Sequence, residues 1–223
     1  MDMIYQEEQA GKPAKKGKAI FGGSFDPIHL GHLAIAEAAL DQLPVDEVIF
    51  MPTKLRYYKK SGRVSSDEAR YDMLTLAVKD RPGMSVSRLE LDTAEERNYT
   101  VDTLARLSVE HPDWEIFFIL GGDSLAYIHT WRQARILLRE AIFAAAVRDD
   151  VDREKLKALM EGLKERFPGS RFALLEIEPN PLSSTAIRRA AAEGEPLTGM
   201  VTEEVEMYIQ RNHIYRQVPE EQD

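Results

Sequence analysis

The sequence predicts an α/β fold, a Rossmann-like doubly wound parallel sheet with helices on both faces and further helices towards the C-terminal end. Two observations carry that expectation. Short apolar runs alternate with longer helical patterns along most of the chain, and strands that alternate with helices imply parallel pairing through right-handed crossovers. The 223 residues, 43% of them hydrophobic, supply one substantial core, and no internal repeat or second domain is visible.

Each element has its own signal. Ala19 to Gly22 is a short apolar run that reads as a buried strand, after which Leu33, Ala36, Leu40 and Leu43 recur on one face of a helix. Glu47 to Met51 is the next strand, closed by Pro52. Ser65 and Glu68 form a capping box for a helix whose inner face is Met73, Leu74, Ala77 and Val78. Met84 to Leu91 reads as a weaker strand, and Val101, Leu104 and Ala105 mark a third helix. Glu115 to Leu120 is a strongly apolar strand ended by Gly121-Gly122. A helix over Arg132 to Arg139, a strand over Ala141 to Val147, a helix over Val151 to Phe167 and a strand over Arg171 to Ile177 continue the alternation. Two helices, Ser184 to Glu193 and Thr202 to Asn212, close the pattern. Such sheets bind ligands beyond the carboxyl ends of their strands, so the loops after Phe21, Met51, Leu91, Leu120 and Val147 are where chemistry is expected.

Composition narrows the function classes. Lys plus Arg number 29 and Asp plus Glu 38, a net charge of −9, which argues against broad binding to a nucleic-acid backbone. A polyphosphate can still be held if positive groups are gathered locally. Cysteine is absent, which excludes disulfides, thiolate catalysis and cysteine zinc sites. No run approaches a membrane span, and Met1 to Lys18 lacks the apolar centre of a signal peptide, so the expected compartment is the cytoplasm, with no membrane partner. The polar stretch 1–17 reads as a disordered leader, 18–218 as a single domain and 219–223 as an acidic tail.

The strongest chemical signal follows the first strand: Gly22-Gly23-Ser24-Phe25-Asp26-Pro27-Ile28-His29-Leu30-Gly31-His32. Two glycines allow a tight turn that exposes backbone N–H groups, and the segment enters a helix whose positive end attracts anions. His29 and His32 can share one cleft, with Gly31 leaving room beside them, and imidazolium or neutral donors there would stabilise charge on a transferring phosphoryl group. The loop is neither a dinucleotide fingerprint nor a Walker A loop. A plain glycine turn with a helix-capping histidine is the structural alternative. The second signal is Leu182-Ser183-Ser184-Thr185-Ala186-Ile187-Arg188-Arg189, where hydroxyls at a helix start and an arginine one turn on suit a triphosphate tail. Ordinary N-capping explains those hydroxyls equally well.

With both motifs in view, the chain resembles the nucleotidylyltransferases: Gly22 to His32 is similar to their T/HxGH region, and Ser183 to Arg188 to their S-S-T-x-I-R triphosphate motif. Asn98-Tyr99-Thr100-Val101-Asp102-Thr103-Leu104, Gly121-Gly122-Asp123-Ser124-Leu125 and Thr130-Trp131 resemble, in order, the bacterial nicotinate mononucleotide adenylyltransferases, over roughly Lys18 to Tyr215. That resemblance implies a nucleotidylyltransferase-type sheet and adenylyl transfer from ATP to nicotinate mononucleotide, giving deamido-NAD and pyrophosphate. Magnesium would arrive with ATP, so no metal ligand is assigned in the protein. His29, His32, Lys59 and Arg188 would neutralise charge, with His32 at the α-phosphate. Gly22, Gly23, Ser24 and Phe25 would belong to the ATP loop, and Ser184 and Thr185 to the pyrophosphate end. Thr100 would donate to the nicotinate carboxylate at a helix start, Trp131 would stack on the ring and Asp123 would bind ribose hydroxyls. Capping for Thr100 and Asp123 and simple packing for Trp131 are the alternatives.

Two departures stand out. Arg56-Tyr57-Tyr58-Lys59 replaces the family's common Pro-Pro-His-Lys, and Ser24 stands where threonine is frequent. Transfer to another phosphorylated acceptor, or a nucleotide sensor without turnover, are the competing functions, which product analysis and pyrophosphate release separate.

Overall fold

The structure, a computed structural model, describes residues 15–54, 65–94, 98–147 and 150–216. Its strands are β1 (Lys16–Gly23), β2 (Glu47–Pro52), β3 (Met84–Val86), β4 (Trp114–Gly121), β5 (Ile142–Val147) and β6 (Arg171–Glu176). They form one six-stranded sheet in the order β3-β2-β1-β4-β5-β6, and every pairing is parallel. The order reverses between β1 and β4, and at such a switch point the flanking loops diverge to opposite faces and leave a crevice. The expected doubly wound sheet is present.

Helices α1 (Leu30–Gln42), α2 (Asp67–Val78), α7 (Ser184–Glu193) and α8 (Glu203–Arg211) pack on one face. There Leu33, Ala36, Met73, Leu74, Ile187 and Val205 meet the strand residues Ala19, Phe21, Val48, Phe50, Phe117 and Ile119. Helices α3 (Thr100–Glu110), α4 (Gly122–Tyr127), α5 (Ala134–Glu140) and α6 (Asp150–Arg166) cover the other face, against Ile20, Ile49, Phe118, Leu120 and Phe143. Alternate residues of each central strand therefore serve two cores, which is why the strands read as unbroken apolar runs. Among the described residues no helix is long and apolar enough to cross a membrane.

Several boundaries differ from expectation. Lys16 and Gly17 belong to β1, paired with Trp114 and Glu115, so the strand claims the end of the proposed leader. Residues 1–14 and the acidic tail lie outside the described residues. β3 stops at Val86 because, at the sheet edge, it pairs only with Val48 to Phe50; the chain then turns, with Asp92 N–H donating to the Arg88 carbonyl. On α3 the buried positions are Val101, Thr103, Leu104 and Leu107, while Ala105 is exposed. Gln133 takes a left-handed backbone with φ of 53°, so α5 begins at Ala134 rather than Arg132. The short α4 and the 3₁₀ turn over Ile128–Thr130 were not anticipated.

The cap of α2 is Ser66, whose hydroxyl accepts from Ala69 N–H at 3.1 Å, and not Ser65, which turns away towards the first loop. One turn in, Arg70 is fully buried. Its Nη1 donates to the Ser24 carbonyl at 2.6 Å, and its Nη2 to the Thr53 carbonyl and the Asp67 carboxylate, both at 2.7 Å. The carboxyl ends of β1 and β2 are thus tied to α2 by one guanidinium. Removing it leaves buried carbonyls without donors, so Arg70→Ala is expected to cost about 3 kcal/mol of unfolding free energy. Arg70→Lys, with a point charge in place of the planar fork, should recover less than half. Urea unfolding of the two variants checks this; a loss below about 1 kcal/mol in Arg70→Ala would refute it.

Candidate active site

The loop after β1 works differently from its sequence. Gly22 and Gly23 lie within β1, paired with Met51 and Pro52, and neither has a positive φ. They are needed for close approach: a Cβ on Gly22 would sit 3.1 Å from the Phe118 ring, and one on Gly23 3.0 Å from the Phe25 ring. The turn itself falls to Phe25, with φ of 47°, and to a cis Asp26-Pro27 bond. Phe25 is buried, edge-on to Phe21, Phe50 and His32 at centroid distances of 5.3, 5.5 and 5.1 Å. Its side chain is therefore core and props the His32 ring. Ser24 is exposed.

His29 caps α1, and the two imidazoles form a reciprocal capping box. His32 N–H donates to Nδ1 of His29, and His29 N–H donates to Nδ1 of His32, each at 3.3 Å. The rings stack 3.6 Å apart with a 24° tilt. Because each Nδ1 accepts, each ring carries its proton on Nε2 and is neutral. Burial enforces this: desolvation lowers the pKa of His29 to about 4, and desolvation together with the neighbouring His29 lowers that of His32 to about 3. Of the imidazolium and neutral forms, this geometry fits the neutral one. A Cβ on Gly31 would lie 3.1 Å from Nδ1 of His29 and 3.5 Å from the Asn180 side chain, so the space freed there goes to the histidine ring.

Helix α7 docks onto the same loop. Ser183 is its cap, accepting from Ala186 N–H at 3.2 Å. The Ser184 hydroxyl donates to the Pro27 carbonyl at 3.0 Å, and Arg188 donates from Nη1 to the Asp26 carbonyl at 2.7 Å and from Nη2 to the Thr185 hydroxyl at 3.2 Å. Two motifs more than 150 residues apart are thus hydrogen-bonded to each other, and the starts of α1 and α7 flank one loop. Thr185 is exposed and Ser184 and Arg188 are half-buried. Arg188 has spent two N–H groups on the protein, and its guanidinium carries five.

Thr100 and Trp131 meet in a second cleft, of about 290 Å³, which Asn98, Tyr99, Val101, Arg132 and Leu137 also line. Tyr99, not Thr100, is the cap residue of α3, and it makes no side-chain capping bond, so Thr100 stands in the first turn, where N–H groups lack helical acceptors. Trp131 is half-buried with its ring edge-to-face on Phe118, and the Arg132 guanidinium lies 4.4 Å over the Tyr99 ring. Asp123 is exposed in the first turn of α4, directly after β4 and so beside the switch point. Lys59 and the Arg56-Tyr57-Tyr58 run lie outside the described residues.

Sequence reasoning missed the supports. Asp26, 3% exposed, accepts at one carboxyl oxygen from the Tyr215 hydroxyl at 2.6 Å, from Ser65 N–H at 3.3 Å and from the Ser65 hydroxyl. An acidic residue inside the run Phe25-Asp26-Pro27-Ile28 was the available sign, since a carboxylate among apolar neighbours needs donors. Arg70, Asn180 and Arg132 carried no such sign.

The family model for cytidylyltransferase-like proteins matches residues 20–190. A probable nicotinate-nucleotide adenylyltransferase of Symbiobacterium thermophilum is 41% identical over 197 residues, covering 88% of this chain and 94% of its own. Its namesake in Streptomyces coelicolor is 39% identical over 195 residues, covering 87% and 98%. Among solved structures, the nicotinic acid mononucleotide adenylyltransferase of Plasmodium falciparum, complexed with NaAD, superposes with a TM-score of 0.71 over 90% of this chain and 97% of that one; at 20% identity it speaks for the fold. With relatives this similar along nearly their whole length, the chain belongs to the nicotinate-nucleotide adenylyltransferase family.

Proposed function

We propose that the protein transfers the adenylyl group of ATP to nicotinate mononucleotide, forming deamido-NAD and pyrophosphate. The observation that carries this reading is the docking of the Ser184–Arg188 helix start on the histidine loop, in a chain whose relatives bear that name. The mononucleotide's phosphate oxygen would attack the α-phosphorus of ATP in line, with no covalent enzyme intermediate, so the protein's task is alignment and charge stabilisation. His32 would donate from Nε2 to the α-phosphate and His29 to the neighbouring phosphates, both as neutral donors that need no proton transfer. Ser184, Thr185 and the uncommitted N–H groups of Arg188 would hold the departing pyrophosphate. The side chains around the loop offer N–H and O–H donors, the chemistry that suits phosphate oxygens, and magnesium is taken as part of the ATP substrate. Lys59 would add charge. Since the reaction consumes ATP, the proposed compartment is the cytoplasm.

At the other end, the nicotinate ring would lie on Trp131, its carboxylate against the hydroxyl and N–H groups at Thr100, while Asp123 would accept from ribose hydroxyls. A carboxylate is favoured at a helix start, whereas a carboxamide would set its own N–H groups against those donors in one orientation.

With magnesium and ATP, the purified protein should adenylylate nicotinate mononucleotide faster than phosphopantetheine, glycerol phosphate or choline phosphate in a pyrophosphate-release assay. Better turnover with any of the other three would overturn the acceptor assignment. His32→Ala should lower kcat by about two to three orders of magnitude, the scale of one lost oxyanion-type donor, while the protein stays folded.

The neutral histidines also have a pH signature. An unfolded histidine titrates near pH 6.5, and the folded pair near 4 and 3. Between those limits the unfolded chain binds protons that the folded one refuses. Stability is then full above pH 6.5 and declines as pH falls through 4 towards 3. ¹⁵N NMR of the ligand-free protein should find both rings as Nε2–H tautomers at pH 7, with no titration down to pH 5. A midpoint near 6.5 for either ring would exclude the neutral pair.

For the acid end, the ratio of kcat/KM for nicotinate over nicotinamide mononucleotide is decisive. Trp131→Ala should weaken both substrates, and Thr100→Val should reduce the ratio without abolishing it, because the backbone donors remain. A parent that favours the amide, or a ratio untouched by Thr100→Val, would remove Thr100 from the pocket.

A further inference from the structure

The carboxyl group of Asp26 is engaged by the protein itself. It faces Ser65 and Tyr215, while the same residue's main-chain carbonyl faces Arg188. Asp26 therefore joins three chain segments that are remote in sequence: the entry to α2, the start of α7 and the end of the described chain. Reaching Asp26 demands an unusual path of that last segment. After α8 the backbone turns back through two left-handed residues, His213 with φ of 52° and Tyr215 with φ of 69°, and Ile214 N–H donates to the Ile209 carbonyl at 3.0 Å. A left-handed tyrosine is uncommon and is sustained only when its surroundings fix it. Here the fixing contacts are the packing of Ile214 and Tyr215 against the core and a 2.6 Å bond from the Tyr215 hydroxyl to Asp26. Burial and the adjacent Asp26 raise the Tyr215 pKa far above its usual value, which keeps the hydroxyl a donor.

We propose that Tyr215 is a positioning residue for polyphosphate binding: its hydroxyl fixes Asp26, and Asp26 in turn fixes the carbonyl that orients Arg188 and the turn that leads into His29. This rests on the adenylyl-transfer reading only for the nature of the nucleotide. Without the hydroxyl, a buried carboxyl oxygen keeps Ser65 as its partner but loses its bridge to the C-terminal segment, and Arg188 loses a rigid anchor.

The test uses the full chain and Tyr215→Phe, which keeps the ring and its packing. Tyr208→Phe is the control, since it deletes a hydroxyl from α8 that bonds Asp72 at 2.7 Å, away from the loop. Magnesium pyrophosphate and magnesium ATP are titrated separately by calorimetry, without acceptor, and steady-state constants and thermal midpoints are measured alongside. In Tyr215→Phe we expect binding of both polyphosphates to weaken about tenfold, the scale of one hydrogen bond, and KM for ATP to rise with it. KM for the acceptor should stay within about twofold, and Tyr208→Phe should match the parent. Parental pyrophosphate affinity in Tyr215→Phe overturns the proposal. So does equal loss for acceptor and pyrophosphate, which would mean general loosening. If the parent binds pyrophosphate but not ATP, the nucleotide assignment fails, while the pyrophosphate arm still decides the role of Tyr215.

Discussion

A loop that leaves sheet and helix with its carbonyls facing the protein needs a donor for each of them. The loop after β1 meets that demand with side chains rather than with sheet or helix. The Ser24 carbonyl takes Arg70, the Asp26 carbonyl takes Arg188 and the Pro27 carbonyl takes Ser184. Three donors from two helices, α2 and α7, thus fix one short stretch. Each also commits its helix to a place on the sheet, so the packing of that face and the shape of the site are set by the same bonds. Where Arg70 also holds Thr53, the constraint extends to the end of β2.

This dual use explains what could be read beforehand and what could not. The two motifs were legible because each is local: a glycine pair, two histidines three apart, a run of hydroxyls at a helix start. Their meeting was implied by resemblance, but its mechanism was not, because carbonyl–side-chain bonds leave no periodic trace. Gly22 and Gly23 have the sequence appearance of turn residues, yet their work is to let the Phe118 and Phe25 rings close in. Phe25 looked like part of a ligand loop and proved to be the buried prop of His32, since a phenylalanine in a glycine-rich stretch has the same sequence appearance whichever way it points.

The fold was more legible than the site, for a physical reason. A parallel sheet covered on both faces buries the middle of its central strands, and that gives the runs Ala19 to Phe21 and Ile116 to Leu120 their continuous apolarity. The signal weakens where burial does. β3 is an edge strand with every residue half-buried, and its end was overestimated by five residues, Leu91 against Val86. Ser65 and Ser66 illustrate a different limit: adjacent serines are equivalent as caps in sequence, and a buried carboxyl at Asp26, far along the chain, decides which one is free to cap α2.

Charge is the remaining constraint on the chemistry. The chain carries a net charge of −9, so a polyanion is repelled at long range and must be compensated at contact. Placing imidazolium at the loop would supply charge, but only at a pH where burial permits it, and stacking two rings 3.6 Å apart makes a doubly protonated pair costly. The reciprocal capping box uses each Nδ1 as an acceptor for a backbone N–H, which fixes both tautomers and would leave two Nε2–H groups as donors for a ligand. Formal charge would then come from Arg188, whose guanidinium is already anchored by the Asp26 carbonyl. In the proposed mechanism the two duties are separate and the site does not depend on a histidine pKa: neutral donors would stabilise charge as it develops, and a fixed cation would hold the group that leaves.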